Sequence, residues 1–149
     1  MSKYQLKWGI LATGGIAETF ARDLSVNPET RGVQGISHVV VASASSSSAD
    51  RAKKFNEKVY APAEAKAYGS YKELANDPNV DIIYVATPHS HHYQNTMLCL
   101  EAGKNVLCEK SFTTNAKQTE ALVKKAKEKN LFLMEAVCLA TSYGLASRS

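Results

Sequence analysis

The sequence predicts an α/β domain built on a doubly wound, parallel sheet with helices on both faces. Three observations carry that prediction. Short apolar runs alternate with stretches of helical periodicity, the order that a parallel sheet with crossover helices requires. One run, Ile82-Ile83-Tyr84-Val85-Ala86, is apolar without a break, as a strand covered on both faces must be. A glycine pair, Gly14-Gly15, joins the first apolar run to the first helical segment.

The elements follow in order. The first strand is expected at Trp8-Gly9-Ile10-Leu11-Ala12, with a helix from Ile16 to Leu24 after it. Ser25 to Ser37 reads as a loop, because Asn27-Pro28, Gly32 and Gly35 interrupt any period. Val39-Val40-Val41-Ala42 gives the second strand. Ser45 to Ser48 opens a helix through Lys58, with Ala49, Ala52 and Phe55 on one face. Ala67-Tyr68 is a short third strand. Ser70 and Glu73 have the spacing of a capping box for a helix over Tyr71 to Asn76, which Asp77-Pro78 stops. Beyond the fourth strand, a helix over His91 to Ala102 turns Tyr93, Met97 and Leu100 inward, and Gly103 closes it. Val106-Leu107-Cys108 is the fifth strand. Asn115 and Gln118 cap a helix to Lys129, with Leu122, Val123 and Ala126 facing inward, and Leu131-Phe132-Leu133-Met134 is the sixth strand.

Composition narrows the function classes. A chain of 149 residues, 44% hydrophobic and 21% charged, suits one soluble globular domain. The formal charge of +4 is spread over dispersed lysines, which suits small anionic ligands and argues against a nucleic-acid partner. Cys99, Cys108 and Cys138 form no paired spacing, so a disulfide framework is not expected. The first residues are polar, and no run approaches the roughly 20 apolar residues of a membrane span. A cytoplasmic protein without a membrane partner is the plain expectation.

Between the first strand and first helix lies Gly9-Ile10-Leu11-Ala12-Thr13-Gly14-Gly15-Ile16-Ala17. Aligned on the dinucleotide-binding fingerprint, its three key places hold Ala12, Gly14 and Ala17, with Thr13 and Ile16 among the expected contacts. The first place makes a tight turn, the second lets backbone approach a pyrophosphate, and the third lets helix pack on strand. The helix start then offers unpaired N–H groups and the positive end of its dipole. Ala12 departs from the pattern and is tolerable there only if its φ stays negative, because a methyl group at positive φ costs about 1 kcal/mol or more. A glycine-rich turn without a nucleotide is the plain alternative.

The end of the second strand reads Ser43-Ala44-Ser45-Ser46-Ser47. NAD-binding folds carry an acid there for the ribose 2′-hydroxyl. Its absence, with hydroxyls at Ser43, Ser45 and Ser46 and a cation at Arg51, favours NADP over NAD. Helix capping by the serines is the alternative and is compatible with this reading. His89, His91 and His92 lack the spacing and companion ligands of a metal site, and no metal is expected.

Three segments together are more specific: Ala86-Thr87-Pro88-His89-Ser90-His91-His92, Glu101-Ala102-Gly103-Lys104-Asn105-Val106-Leu107-Cys108-Glu109-Lys110, and Met134-Glu135-Ala136-Val137. In order and spacing they resemble the Gfo/Idh/MocA family of oxidoreductases, in its branch acting on sugars and dihydrodiols. The likeness covers about Lys7 to Val137. It implies a Rossmann domain over residues 1–137 in which Thr87, Pro88, His89, His92, Glu109, Lys110 and Glu135 surround the cofactor. Lys110 is implied as the catalytic residue, beside the nicotinamide and the substrate hydroxyl. The family signature has proline after Glu-Lys, where this chain has Ser111, which is expected to loosen Lys110. The family's second domain, which supplies the substrate pocket and often the dimer surface, is expected to be absent. Residues 138–149 read as an atypical, disordered tail. A homodimer is then expected only with the missing domain. The resemblance implies an NADP-dependent oxidoreductase of sugar or dihydrodiol hydroxyls, inactive as this chain alone. A non-catalytic NADP-binding regulatory module and a non-functional truncated product are the alternatives.

Overall fold

A computed structural model describes residues 3–137. Six strands, β1 (Tyr4–Leu11), β2 (Ile36–Ala44), β3 (Lys66–Tyr68), β4 (Ile82–Val85), β5 (Asn105–Glu109) and β6 (Leu133–Ala136), pair in the order β3-β2-β1-β4-β5-β6. Every pairing is parallel. The expectation for residues 138–149 lies outside the described residues.

The helices divide by face. On one side, α1 (Gly15–Leu24) and α2 (Ala49–Lys58) bury Ala17, Ala21, Phe55 and Val59 against Trp8, Ile10, Val40 and Tyr84. On the other, α3 (Tyr71–Ala75), α4 (His92–Glu101) and α5 (Ala116–Glu128) bury Leu74, Leu100, Leu122 and Ala126 against Leu11, Ile83, Val85 and Val106. The doubly wound prediction therefore holds. The unbroken run Ile82–Val85 is buried throughout because helices cover both its faces.

Local chemistry sets the helix starts. Ser48, Ser70 and Asn115 each accept the backbone N–H three residues on, at 3.3, 3.2 and 3.0 Å. Caps of this kind stabilise a helix by about 1 kcal/mol each. Gly103, at φ 79°, ends α4 with its N–H on Leu100 O. Gly9 answers a different need. A Cβ there would lie 3.0 Å from Val80 Cγ1 and 3.1 Å from Leu74 Cδ1. The β1–β2 register also slips between Trp8 and Gly9, leaving Val41 as the bulged residue.

Several boundaries differ from expectation. β1 begins four residues earlier than predicted, and β2 runs Ile36–Ala44, because residues flanking the apolar runs join the ladder through Tyr4 and Ile36. The segment read as a loop contains a 3-10 turn, Pro28–Arg31, capped by Asn27. A second 3-10 turn, His89–His91, precedes α4. β6 starts at Leu133, because Leu131 N–H is used to close α5 on Ala126 O and Phe132 N–H is held by Asn105 Oδ1. Val123, expected inward, is exposed, since the apolar stripe of α5 narrows to Leu122 and Ala126.

Asp77 forms a polar hub beneath this framework. Tyr68 Oη donates to its Oδ2 and Asn79 N–H to its Oδ1, both at 2.9 Å. Lys104 Nζ donates to Asp77 O and Val80 O at 2.6 and 2.7 Å. Burial pulls the Lys104 ammonium below its ordinary range, against the charges of Asp77 and Asp81.

Candidate functional site

Strand order reverses direction between β1 and β4, and the chain ends of these two strands lie side by side. Leu11 is in register with Val85, and Ala86 N–H donates to Leu11 O at 2.9 Å. A parallel sheet places its ligand crevice at such a point, outside the carboxyl ends of the strands.

The turn after β1 approaches this crevice. Ala12 has φ 85°, which corrects the expectation of a negative angle. Its N–H stays paired with Ala44 O at 3.1 Å while the chain turns into α1. The methyl group costs about 1–2 kcal/mol there. Gly14 follows as the N-cap of α1 at φ −80° and ψ 177°, with no side-chain cap hydrogen bond. A Cβ built on Gly14 or Gly15 meets nothing within 4 Å. The first turn of α1 thus presents N–H groups into open space, the arrangement that receives an anion. Ala17 is fully buried, as close helix–strand packing requires, and Thr13 is half-buried. Ile16 is 52% exposed at the helix opening, an apolar surface beside the open turn.

The four serine and arginine candidates at the end of β2 separate in space. Ser43 is fully buried, with Oγ 2.6 Å from Asn56 Oδ1 and 3.2 Å from Ala52 O. Both neighbours are acceptors, so its single proton is committed inside the fold. Ser43 therefore drops out as a phosphate donor. Ser45 is buried and its N–H donates to Tyr68 O, whereas Ser46 and Arg51 are exposed. Among the described residues Arg51 forms no ion pair, and its guanidinium is available to an incoming charge.

Beyond β4, Thr87 is buried and its Oγ1 accepts from Asn95 Nδ2 at 3.3 Å, while Pro88 and His89 are exposed. His92, a candidate cofactor contact, is only 1% exposed. Its two ring nitrogens lie 2.8 Å from Ser111 O and 2.9 Å from Thr87 O. A neutral ring donates to one of these carbonyls, and its burial between them makes His92 a link between two strand ends.

The chain after β5 completes the site. Glu109 ends the strand, accepts the Tyr84 hydroxyl, and takes Lys110 N–H at 3.1 Å on its other oxygen. Lys110 and Ser111 are exposed and joined by a cis peptide bond. Glu135 sits within β6 rather than past its end, paired with Cys108, and its Oε1 accepts Phe112 N–H at 2.8 Å. His89 Nε2 lies 3.1 Å from Thr113 O. Burial pushes the Cys108 thiol up to about 11, and the Glu109 and Glu135 charges add to the rise, so at neutral pH it stays a protonated thiol. Tyr84 was legible only as core. Its hydroxyl, lone in an aliphatic run, was the signal that a buried partner had to exist.

Comparison with known proteins decides the family. Residues 6–137 match the model of the Gfo/Idh/MocA oxidoreductase family with its NAD-binding Rossmann fold. The chain belongs to this family. It is 65% identical over 134 residues to the D-xylose 1-dehydrogenase (NADP(+)) of Hypocrea jecorina, covering 90% of this chain and 34% of that protein. It is 46% identical over 132 residues to the trans-1,2-dihydrobenzene-1,2-diol dehydrogenase of Mus musculus, covering 89% of this chain and 37% of that one. Among solved structures it resembles KijD10, a 3-ketoreductase from Actinomadura kijaniata in complex with NADP. That match has a TM-score of 0.75 and 32% identity over 88% of this chain and 38% of the other. This Gfo/Idh/MocA chain thus spans about a third of the length of the curated relatives it matches. Among the described residues, no helix is long and apolar enough to cross a membrane.

Proposed function

We propose that this chain binds NADP+ across the β1–β4 junction and forms the nucleotide-binding part of a dehydrogenase that oxidises a ring hydroxyl of a sugar or dihydrodiol. The observation that carries the reading is the opening of α1: a helix start with no side-chain cap, glycine at the N-cap, and open space before it. Gly14 and the N–H groups after it would hold the pyrophosphate, and Ile16 would pack beside it. Ser46 and Arg51, with no acid at the end of β2, would meet a 2′-phosphate. Thr87, Pro88 and Lys110 would line the far side of the same strand tips.

NADP+, when bound, supplies the hydride acceptor. The chain's own contribution is geometry and charge. Lys110 places an ammonium at the tip of β5, where it would hold the substrate hydroxyl and assist removal of its proton. Glu109 does not compete for that role, since both its oxygens are engaged by Tyr84 and Lys110 N–H. The names of the relatives support the substrate class. The two described cysteines, Cys99 and Cys108, are free thiols, which supports a reducing, cytoplasmic setting.

Titration calorimetry with NADP+ and NAD+ tests the reading. NADP+ is expected to bind about tenfold tighter, the worth of one charge-assisted contact. Arg51→Ala should remove most of that margin. Equal affinities, or no binding of either, would overturn the cofactor assignment.

A further inference from the structure

We infer that Glu135 is a positioning residue: its carboxylate, reaching from β6, fixes the backbone that carries Lys110. The inference rests on the cofactor reading above and gives the acid a task other than contact with nucleotide or substrate.

The segment from Lys110 to Thr113 leaves the end of β5 and crosses the tips of the strands. Four consecutive backbone positions in it are met by side chains. Lys110 N–H is held by Glu109, Ser111 O faces His92, Phe112 N–H is held by Glu135, and Thr113 O faces His89. Glu109 is the neighbour of Lys110 and moves with it. His89 and His92 both come from the β4 side. Glu135 alone of the four is supplied by β6, so it alone ties this segment to the opposite flank of the sheet.

The chemistry suits that task. A backbone N–H needs an acceptor, and a carboxylate accepts more strongly than a neutral group. At 2.8 Å the Phe112 contact is a full hydrogen bond. The Phe112 ring packs against the buried cluster on the α3–α5 face, so this amide lies at the point where the segment turns from solvent into the core. Glu135 points to the same face, in register with buried Cys108. Half-buried and spent on backbone, its carboxylate is not presented to the crevice. Lys110, two residues before the anchored amide, keeps an exposed side chain on a backbone held at both ends.

Two substitutions separate anchoring from charge. Glu135→Gln keeps an oxygen at the same place and loses the charge, whereas Glu135→Leu keeps the bulk and loses the acceptor. Hydrogen exchange of the whole chain, read by peptide, and NADP+ titration are measured on all three proteins. In Glu135→Leu, exchange across 110–113 should accelerate by at least about tenfold while the β1–β4 core stays protected. NADP+ affinity should fall by about tenfold. Glu135→Gln should restore both to within about threefold of the parent, a rescue that simple loss of packing would not produce. Equal weakening in both variants would mean that the charge acts on the ligand, and wild-type affinity in Glu135→Leu would mean that the anchor is irrelevant. Either result overturns the inference while leaving the cofactor reading standing. Failure of the parent chain to bind NADP+ would instead sink the cofactor reading, and the inference with it.

Discussion

Replacing Gly14 with valine should separate binding from folding. Gly14 adopts φ −80° and ψ 177°, an extended conformation open to any residue, and an added Cβ meets nothing within 4 Å. The folded state therefore accepts the side chain without a clash. Losing glycine's freedom in the unfolded chain favours the variant by about 0.4–1 kcal/mol. Valine is a poorer N-cap than glycine by a similar amount, so the melting temperature should stay within about 3 °C of the parent. The bound state suffers far more. A branched side chain at the N-cap stands where the pyrophosphate must approach, and it pushes the anion off the first-turn N–H groups. Losing two charge-assisted hydrogen bonds of about 1.5 kcal/mol each weakens NADP+ by more than a hundredfold. Calorimetric titration beside a thermal melt reads both quantities on one preparation. Binding kept within twofold would refute the placement of the pyrophosphate. A fall of several degrees in melting temperature would refute the claim that the turn is open.

Further outcomes follow from the core. Asp77→Asn should cost about 2 kcal/mol at neutral pH, because Tyr68, Asn79 and Lys66 lose a carboxylate they converge on. Burial alone would raise the Asp77 carboxyl, but those partners hold it below its ordinary 3.8; its contribution is complete above that value and fades as pH falls through the lowered folded one, where urea midpoints of parent and variant should converge. The half-buried His38 ring is lowered from 6.5 by desolvation, and its Nδ1 accepts Trp8 Nε1–H at 3.1 Å. Below 6.5 the unfolded chain takes up a proton that the folded ring resists, so stability should decline as pH falls from there, and His38→Gln should flatten that decline in the same urea series. Gly9→Ala should lower the melting temperature by about 2–6 °C, since its methyl would press on Val80 and Leu74; an unchanged melt would show that these side chains yield freely.

Periodicity and punctuation made the architecture legible in the sequence. The alternation of apolar runs and helices, the caps at Ser48, Ser70 and Asn115, and the stop at Gly103 each act within a few residues, so local reading captures them. Long-range demands were not legible. The ladder partners that extend β1 and β2, and the Asn105 contact that delays β6, join residues far apart in the chain. At the site, the motif residues were found but several of their tasks were not. Ser43 and His92 have the right chemistry for a ligand, yet burial commits their polar atoms to the fold itself. Ala12 stands where the pattern wants glycine, yet nothing local in the sequence reveals that it adopts the left-handed conformation.

The place of β1 in the sheet has an architectural consequence. β1 joins the two sides of the sheet, with β2 and β3 on one flank and β4, β5 and β6 on the other. Clipping β6 would shorten one margin of the sheet. Clipping β1 would cut the sheet in two and open raw pairing edges on β2 and β4 at once, an invitation to stick to other chains. Nascent β1 must also wait, with one flank bare, until β4 emerges more than 70 residues later. Loss of β1 is therefore far more dangerous to the solubility of this fold than loss of β6.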